Sequence, residues 1–141
     1  MIKLKSILLE QANPKLLGFA KAVVGTIMAA LSPEWEEDGH FTYKATNRGK
    51  MIKAIDKIKT QEQYDAVLDL CKTSKVLKQK YPLEFPFYTI MELIQLGYDT
   101  QSKDPDIFGV TDTSPGSDAW NLKIFESKLQ RFNPDEKIIR K

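Results

Sequence analysis

The stretch Leu16–Leu31, LLGFAKAVVGTIMAAL, constrains the fold more than any other part of the chain, because it is apolar on nearly every side and Lys21 is its only charge. Its sixteen residues fall short of the roughly twenty that an α-helix needs to cross a bilayer. Pro33 also stands where a signal peptidase would need a small, unobstructed site. The expectation is therefore a helix buried in a protein interior, with no membrane span. Asn13-Pro14 is a good start for it, since the asparagine side chain can accept from orphan backbone N–H groups and proline has no N–H to leave unpaired. Ser32-Pro33 stops it after about Leu31. Gly18, Ala22, Gly25 and Ala29 recur at i, i+4, i+7 and i+11, which predicts a small-residue face against which another helix packs closely.

The 141 residues suit one domain that buries its core without disulfides or metal staples, and 42% apolar with 28% charged residues is the balance of a chain that folds. A net charge of +2 announces no nucleic-acid binder, so any electrostatic case must rest on local clusters. Cys71 is the only cysteine, which excludes an internal disulfide and fits a reducing compartment.

Beyond Pro33 the pattern changes. Asp38-Gly39 lies between Trp35 and the alternating Phe41, Tyr43 and Ala45, predicting a small β-ribbon near residues 35–45. Helical period returns with Met51, Ile52, Ile55 and Ile58, followed by Thr60 and Gln63 as a capping box for a helix whose buried stripe is Tyr64, Val67, Leu68 and Cys71. Val76, Leu77 and Tyr81 continue a lysine-rich turn until Pro82, and Phe85-Pro86-Phe87 is expected to open a further helix through Leu96 that ends at Gly97. Residues 98–116 show neither period and predict a long loop. Ser117 or Asp118 caps a last helix carrying Trp120, Leu122, Ile124, Phe125, Leu129 and Phe132, which ends near Asn133-Pro134. The fold class is thus mostly α, a single helical domain of five to seven helices. Its organisation is a leader at 1–12, a helical body at 13–133 and a basic tail at 134–141, frayed from Lys137.

Catalytic chemistry is thin. With His40 as the sole histidine, every His-dependent triad must run through it, and multi-His/Cys zinc sites are excluded by count. Cys71 sits in an apolar stripe and reads as a small hydrophobe. The cluster Glu34, Glu36, Glu37 and Asp38 is too local to set two carboxylates across a glycosidase cleft. Asp99, Asp104, Asp106 and Asp112 lack the calcium-loop pattern, and Gly49-Lys50-Met51 lacks the earlier glycine and the Ser or Thr of a phosphate loop. No cofactor, metal or catalytic residue is predicted, and the chain reads as a non-enzyme. The strongest surface feature is basic: Arg48, Lys50, Lys53 and Lys57, with Lys44 and Lys59, face only Asp56, and Lys72, Lys75, Lys78 and Lys80 extend the theme. Such a face can contact phosphates, and any DNA binding through it would be sequence-independent.

The first ten residues, MIKLKSILLE, form a separate element in which Ile2, Leu4, Ile7 and Leu8 make one apolar stripe beside Lys3 and Lys5 before Gln11-Ala12-Asn13-Pro14 breaks the pattern. This leader resembles the capsid-targeting peptide of internal head proteins of T-even-type tailed bacteriophages, which ends in an aliphatic-x-Glu cleavage site for the prohead protease. Leu8-Leu9-Glu10 supplies that ending; Ile124-Phe125-Glu126 is a second such triplet. The resemblance implies a virion protein, made in the host bacterial cytoplasm, docked on capsid or scaffold proteins through Ile2, Leu4, Ile7 and Leu8, and cut after Glu10. It leaves two alternatives open: a head or tail subunit that keeps its N-terminus, and an accessory nucleic-acid-binding protein. The segment 54–96 is also similar in helix spacing to annexin repeats, but Thr46-Asn47-Arg48-Gly49 stands where that family has its Gly-x-Gly-Thr calcium loop, so calcium binding is not implied.

Overall fold

The computed structural model describes residues 13–35, 41–45, 47–98 and 118–138. Helix α1, Pro14–Ala30, begins where Asn13 accepts the Leu16 N–H at 3.1 Å, with proline at the first helical position. The chain then runs through two short strands, β1 (Leu31–Trp35) and β2 (Phe41–Ala45), paired antiparallel with Leu31 opposite Ala45 and Trp35 opposite Phe41. Helix α2, Arg48–Asp56, is capped by Asn47, and α3, Gln61–Thr73, by the Thr60/Gln63 box, in which the threonine hydroxyl accepts the Gln63 N–H and the Gln63 carboxamide oxygen accepts the Thr60 N–H. Helix α4, Lys75–Lys80, starts on Ser74, and α5, Ile90–Ile94, starts on Thr89 and tightens into a 3-10 turn at Gln95–Gly97. Helix α6, Asp118–Gln130, completes a mostly helical fold with six α-helices among the described residues.

One hydrophobic cluster draws on every helix. Ala20, Val23, Val24 and Ile27 of α1 meet Met51, Ala54 and Ile55 of α2 and Tyr64, Val67 and Cys71 of α3; Leu77, Ile90, Leu93, Leu122, Phe125 and Leu129 extend it. The stripes read from α2 and α3 thus point inward, with Ile52 and Leu68 half-buried at their margins, while of the α6 stripe Leu122, Phe125 and Leu129 are buried, Phe132 is half-buried against the core, and Trp120 and Ile124 lie outside it.

Three expectations are corrected. Among the described residues no helix packs on the small-residue face of α1: Gly18, Ala22 and Ala29 are exposed, and a methyl group built on Gly18 or Gly25 would meet nothing within 4 Å. Burial instead follows the bulkier side, because Val and Ile remove more apolar surface from water than Gly and Ala. No helix opens at Phe85-Pro86-Phe87 either; these residues form a loop with a cis Phe85–Pro86 bond, and α5 begins only at Ile90, where Thr89 can cap by accepting the Glu92 N–H at 3.1 Å. The third concerns the end of the chain. The segment read as a basic tail carries, as far as Ile138, a fully buried Glu136 and a half-buried Ile138 whose N–H donates to Glu126 at 2.7 Å. Residues 1–12, the long loop from residue 99 and residues 139–141 lie outside the described residues.

Since the glycines of α1 face open space, Gly18→Ala and Gly25→Ala each remove backbone entropy from the unfolded chain without a clash and should raise stability by about 0.5–1 kcal/mol. Thr60→Ala deletes half of the α3 capping box and should cost about 1 kcal/mol. Urea unfolding of the three variants against the parent checks both signs.

Candidate functional site

The last described segment is where polar chemistry concentrates. Helix α6 ends at Gln130, and Asn133-Pro134-Asp135-Glu136 then forms a tight turn in which the Glu136 N–H donates to the Asn133 carbonyl at 3.0 Å and the Asp135 N–H to the Asn133 side-chain oxygen at 3.0 Å. Asparagine and proline in the first two places favour such a reversal. It turns the Glu136 side chain into the interior. There the carboxylate collects three donors: the Tyr64 hydroxyl at 2.6 Å and the Ile90 N–H at 2.9 Å on Oε2, and the Met91 N–H at 2.8 Å on Oε1. The Tyr64 oxygen in turn accepts from the Asn133 carboxamide at 3.0 Å.

The site is therefore a cap. The first backbone donors of α5 have no intrahelical acceptors, and a carboxylate from 45 residues further along the chain supplies them while sitting at the favourable end of the helix dipole. Burial pushes the Glu136 carboxyl above its ordinary range; the Tyr64, Ile90 and Met91 donors pull it part of the way back, and Glu92 adds a repulsive charge. Burial, then the Glu136 carboxylate, hold the Tyr64 phenol above its usual value, so it remains a donor. Burial likewise raises the Cys71 thiol, with Glu136 and Glu92 adding to it; a fully buried thiol of that kind is no nucleophile.

Neighbouring contacts stitch the same segment to the rest. Phe132 stacks on Tyr64 with ring centroids 5.5 Å apart, Arg131 donates to the Ile58 carbonyl at 3.0 Å, and Lys128 forms an ion pair with Asp56. On the outer side of α6, Trp120, Lys123, Ile124, Ser127 and Lys128 line a shallow depression of about 360 Å³.

The residues singled out from sequence fare differently. Arg48 is half-buried with its guanidinium 5.4 Å from the Tyr98 ring centre, which separates it from Lys50, Lys53 and Lys57, all exposed on one side of α2. Ile2, Leu4, Ile7, Leu8, Leu9, Glu10, His40 and the aspartates of the long loop lie outside the described residues. Glu136 was missed: the Asn133-Pro134 turn signal is in the sequence, but nothing local says what a glutamate three residues on will meet. Among the described residues no group of three His, Cys, Asp or Glu side chains could hold a metal ion, and no helix is long and apolar enough to cross a membrane. Comparison with known proteins gave no match to a family model, a curated protein or a solved structure.

Glu136→Ala strands three buried donors and should cost about 3 kcal/mol or more. The pH dependence is equally specific. Because the folded-state carboxyl is raised, the folded protein binds a proton that the unfolded chain releases; this stabilisation is full below the ordinary glutamate value of about 4.3 and is lost as pH rises through the folded value. Denaturant titrations across that window should show stability falling with pH in the parent and no such contribution in Glu136→Gln.

Proposed function

We propose that the chain is a non-enzymatic, virion-associated protein of a tailed bacteriophage, an internal head or structural component directed to the prohead by its first ten residues. The leader supports this reading through Ile2, Leu4, Ile7 and Leu8, which offer an apolar stripe to capsid or scaffold proteins, and through Leu8-Leu9-Glu10 as the processing site. The observation that carries it is the start of α1. Asn13 caps that helix three residues after Glu10, with its side chain on the Leu16 N–H at 3.1 Å. A cut after Glu10 leaves the cap and every described helix whole. In this reading the ribbon near residues 35–45 belongs to the helical body.

Glu136, Tyr64 and Asn133 spend their hydrogen bonds on one another and on the α5 backbone, and Cys71 is sealed in the core. A second reading, sequence-independent contact with DNA, draws on Lys50, Lys53 and Lys57, whose spacing and exposure put three cations on one side of α2. Lysines on phosphates would hold packaged DNA without reading its bases.

Intact-mass measurement of the protein recovered from purified particles tests the proposal. The expected species begins at Gln11. Absence from particles rejects the virion reading, and presence with Met1 attached rejects processing.

A further inference from the structure

The loop between α4 and α5 is built to hold apolar side chains outside the fold. Leu83 is 93% exposed, Tyr88 64% and Val76 53%, and these are the large hydrophobics that the described surface leaves out of the core. Their support is firm. Tyr81 and Phe87 are buried and meet edge to face at 6.2 Å, Phe85 meets Phe87 at 6.4 Å, and the Phe85 N–H donates to the Tyr81 carbonyl at 2.9 Å. The Phe87 N–H reaches the Cys71 carbonyl at 3.1 Å, which ties the loop to the last turn of α3. A loop anchored by two buried aromatic rings thus presents a leucine at its tip.

The segments that flank the loop are rich in lysine: Lys72, Lys75, Lys78 and Lys80 are all exposed, against Asp69 on α3, Glu84 beside Leu83 in the loop, and Glu92, whose carboxylate accepts the Tyr88 N–H at 3.0 Å. We propose that this lysine-collared loop docks on an anionic lipid surface, with Leu83 and Tyr88 entering the interface and the lysines meeting headgroup phosphates. The composition separates a bilayer from a protein partner. Specific protein interfaces favour Arg over Lys because its rigid fork fixes a geometry, and residues 72–88, which form this patch, contain no arginine. Flexible lysines that lay their stems along an apolar surface and reach a diffuse negative charge suit headgroups, as does a tyrosine at the boundary between water and hydrocarbon. The proposal does not rest on the leader or on processing at Glu10.

Co-sedimentation of the full chain with vesicles of phosphatidylcholine, with and without phosphatidylserine, tests it. The protein should bind the anionic vesicles at low salt, leave the neutral ones in solution, and be released as salt screens the lysines. Leu83→Glu should weaken binding about tenfold or more, and Lys75→Glu with Lys78→Glu should abolish it, with unchanged melting temperatures because all three side chains are exposed. Tyr88→Ser provides an independent apolar loss with the same sign. Failure to bind anionic vesicles, equal binding to both compositions, or a Leu83→Glu variant that binds like the parent overturns the proposal. Capture of polyglutamate without vesicle binding would also overturn it and assign an acidic protein instead.

Discussion

A single buried carboxylate organises this fold. Glu136 stands on neither a helix nor a strand, yet it accepts from α3 through Tyr64 and from the first turn of α5 through Ile90 and Met91. Helix α5 has only five residues, too few to stabilise itself by its own hydrogen bonds. Its formation depends on Thr89, which satisfies one N-terminal donor, and on Glu136, which satisfies two. The cost of burying a charge is met by those donors in part, and the remainder appears as the raised carboxyl.

That interaction explains why the C-terminal segment belongs to the body. From Lys128 to Ile138 nearly every turn of chain touches a different element: Asp56 of α2, the Ile58 carbonyl beyond it, the Tyr64 ring of α3, the α5 backbone and Glu126 of α6. The ion pair between Lys128 and Asp56, partly solvated, adds little by itself. The buried contacts around Tyr64 carry the attachment. Around them Glu136 and Tyr64 spend their hydrogen bonds on the fold, and Cys71 is buried in the core.

Local signals were readable wherever sequence neighbours decide the outcome. Asn13-Pro14, the Thr60/Gln63 box and the stripes of α2, α3 and α6 depend on residues three or four apart, and a linear reading finds them. Three features needed the third dimension. Which side of α1 is buried depends on where α2 and α3 lie, so the Gly18–Ala29 stripe misled. A helix opening at Phe85-Pro86-Phe87 is locally plausible, whereas the rings of Tyr81, Phe85 and Phe87 pack as a loop and the helix starts only at Ile90. Glu136 joins residues 72, 46 and 45 positions away, a separation at which no periodicity speaks. Of the basic set, Arg48 turned toward Tyr98 while Lys50, Lys53 and Lys57 stayed outside, a split that helical spacing alone does not give.

Functionally the molecule divides into a helical body whose polar interior serves its own architecture and an outer surface that carries lysines and a few exposed apolar groups. The body rests on the cap at α5. Amide hydrogen exchange of the full chain measures that cap directly, since the Ile90 and Met91 N–H groups have Glu136 as their acceptor. The account predicts protection of both amides as strong as that of the α3 core around Val67. Exchange at Ile90 and Met91 as fast as at the exposed loop amide of Leu83 would contradict it.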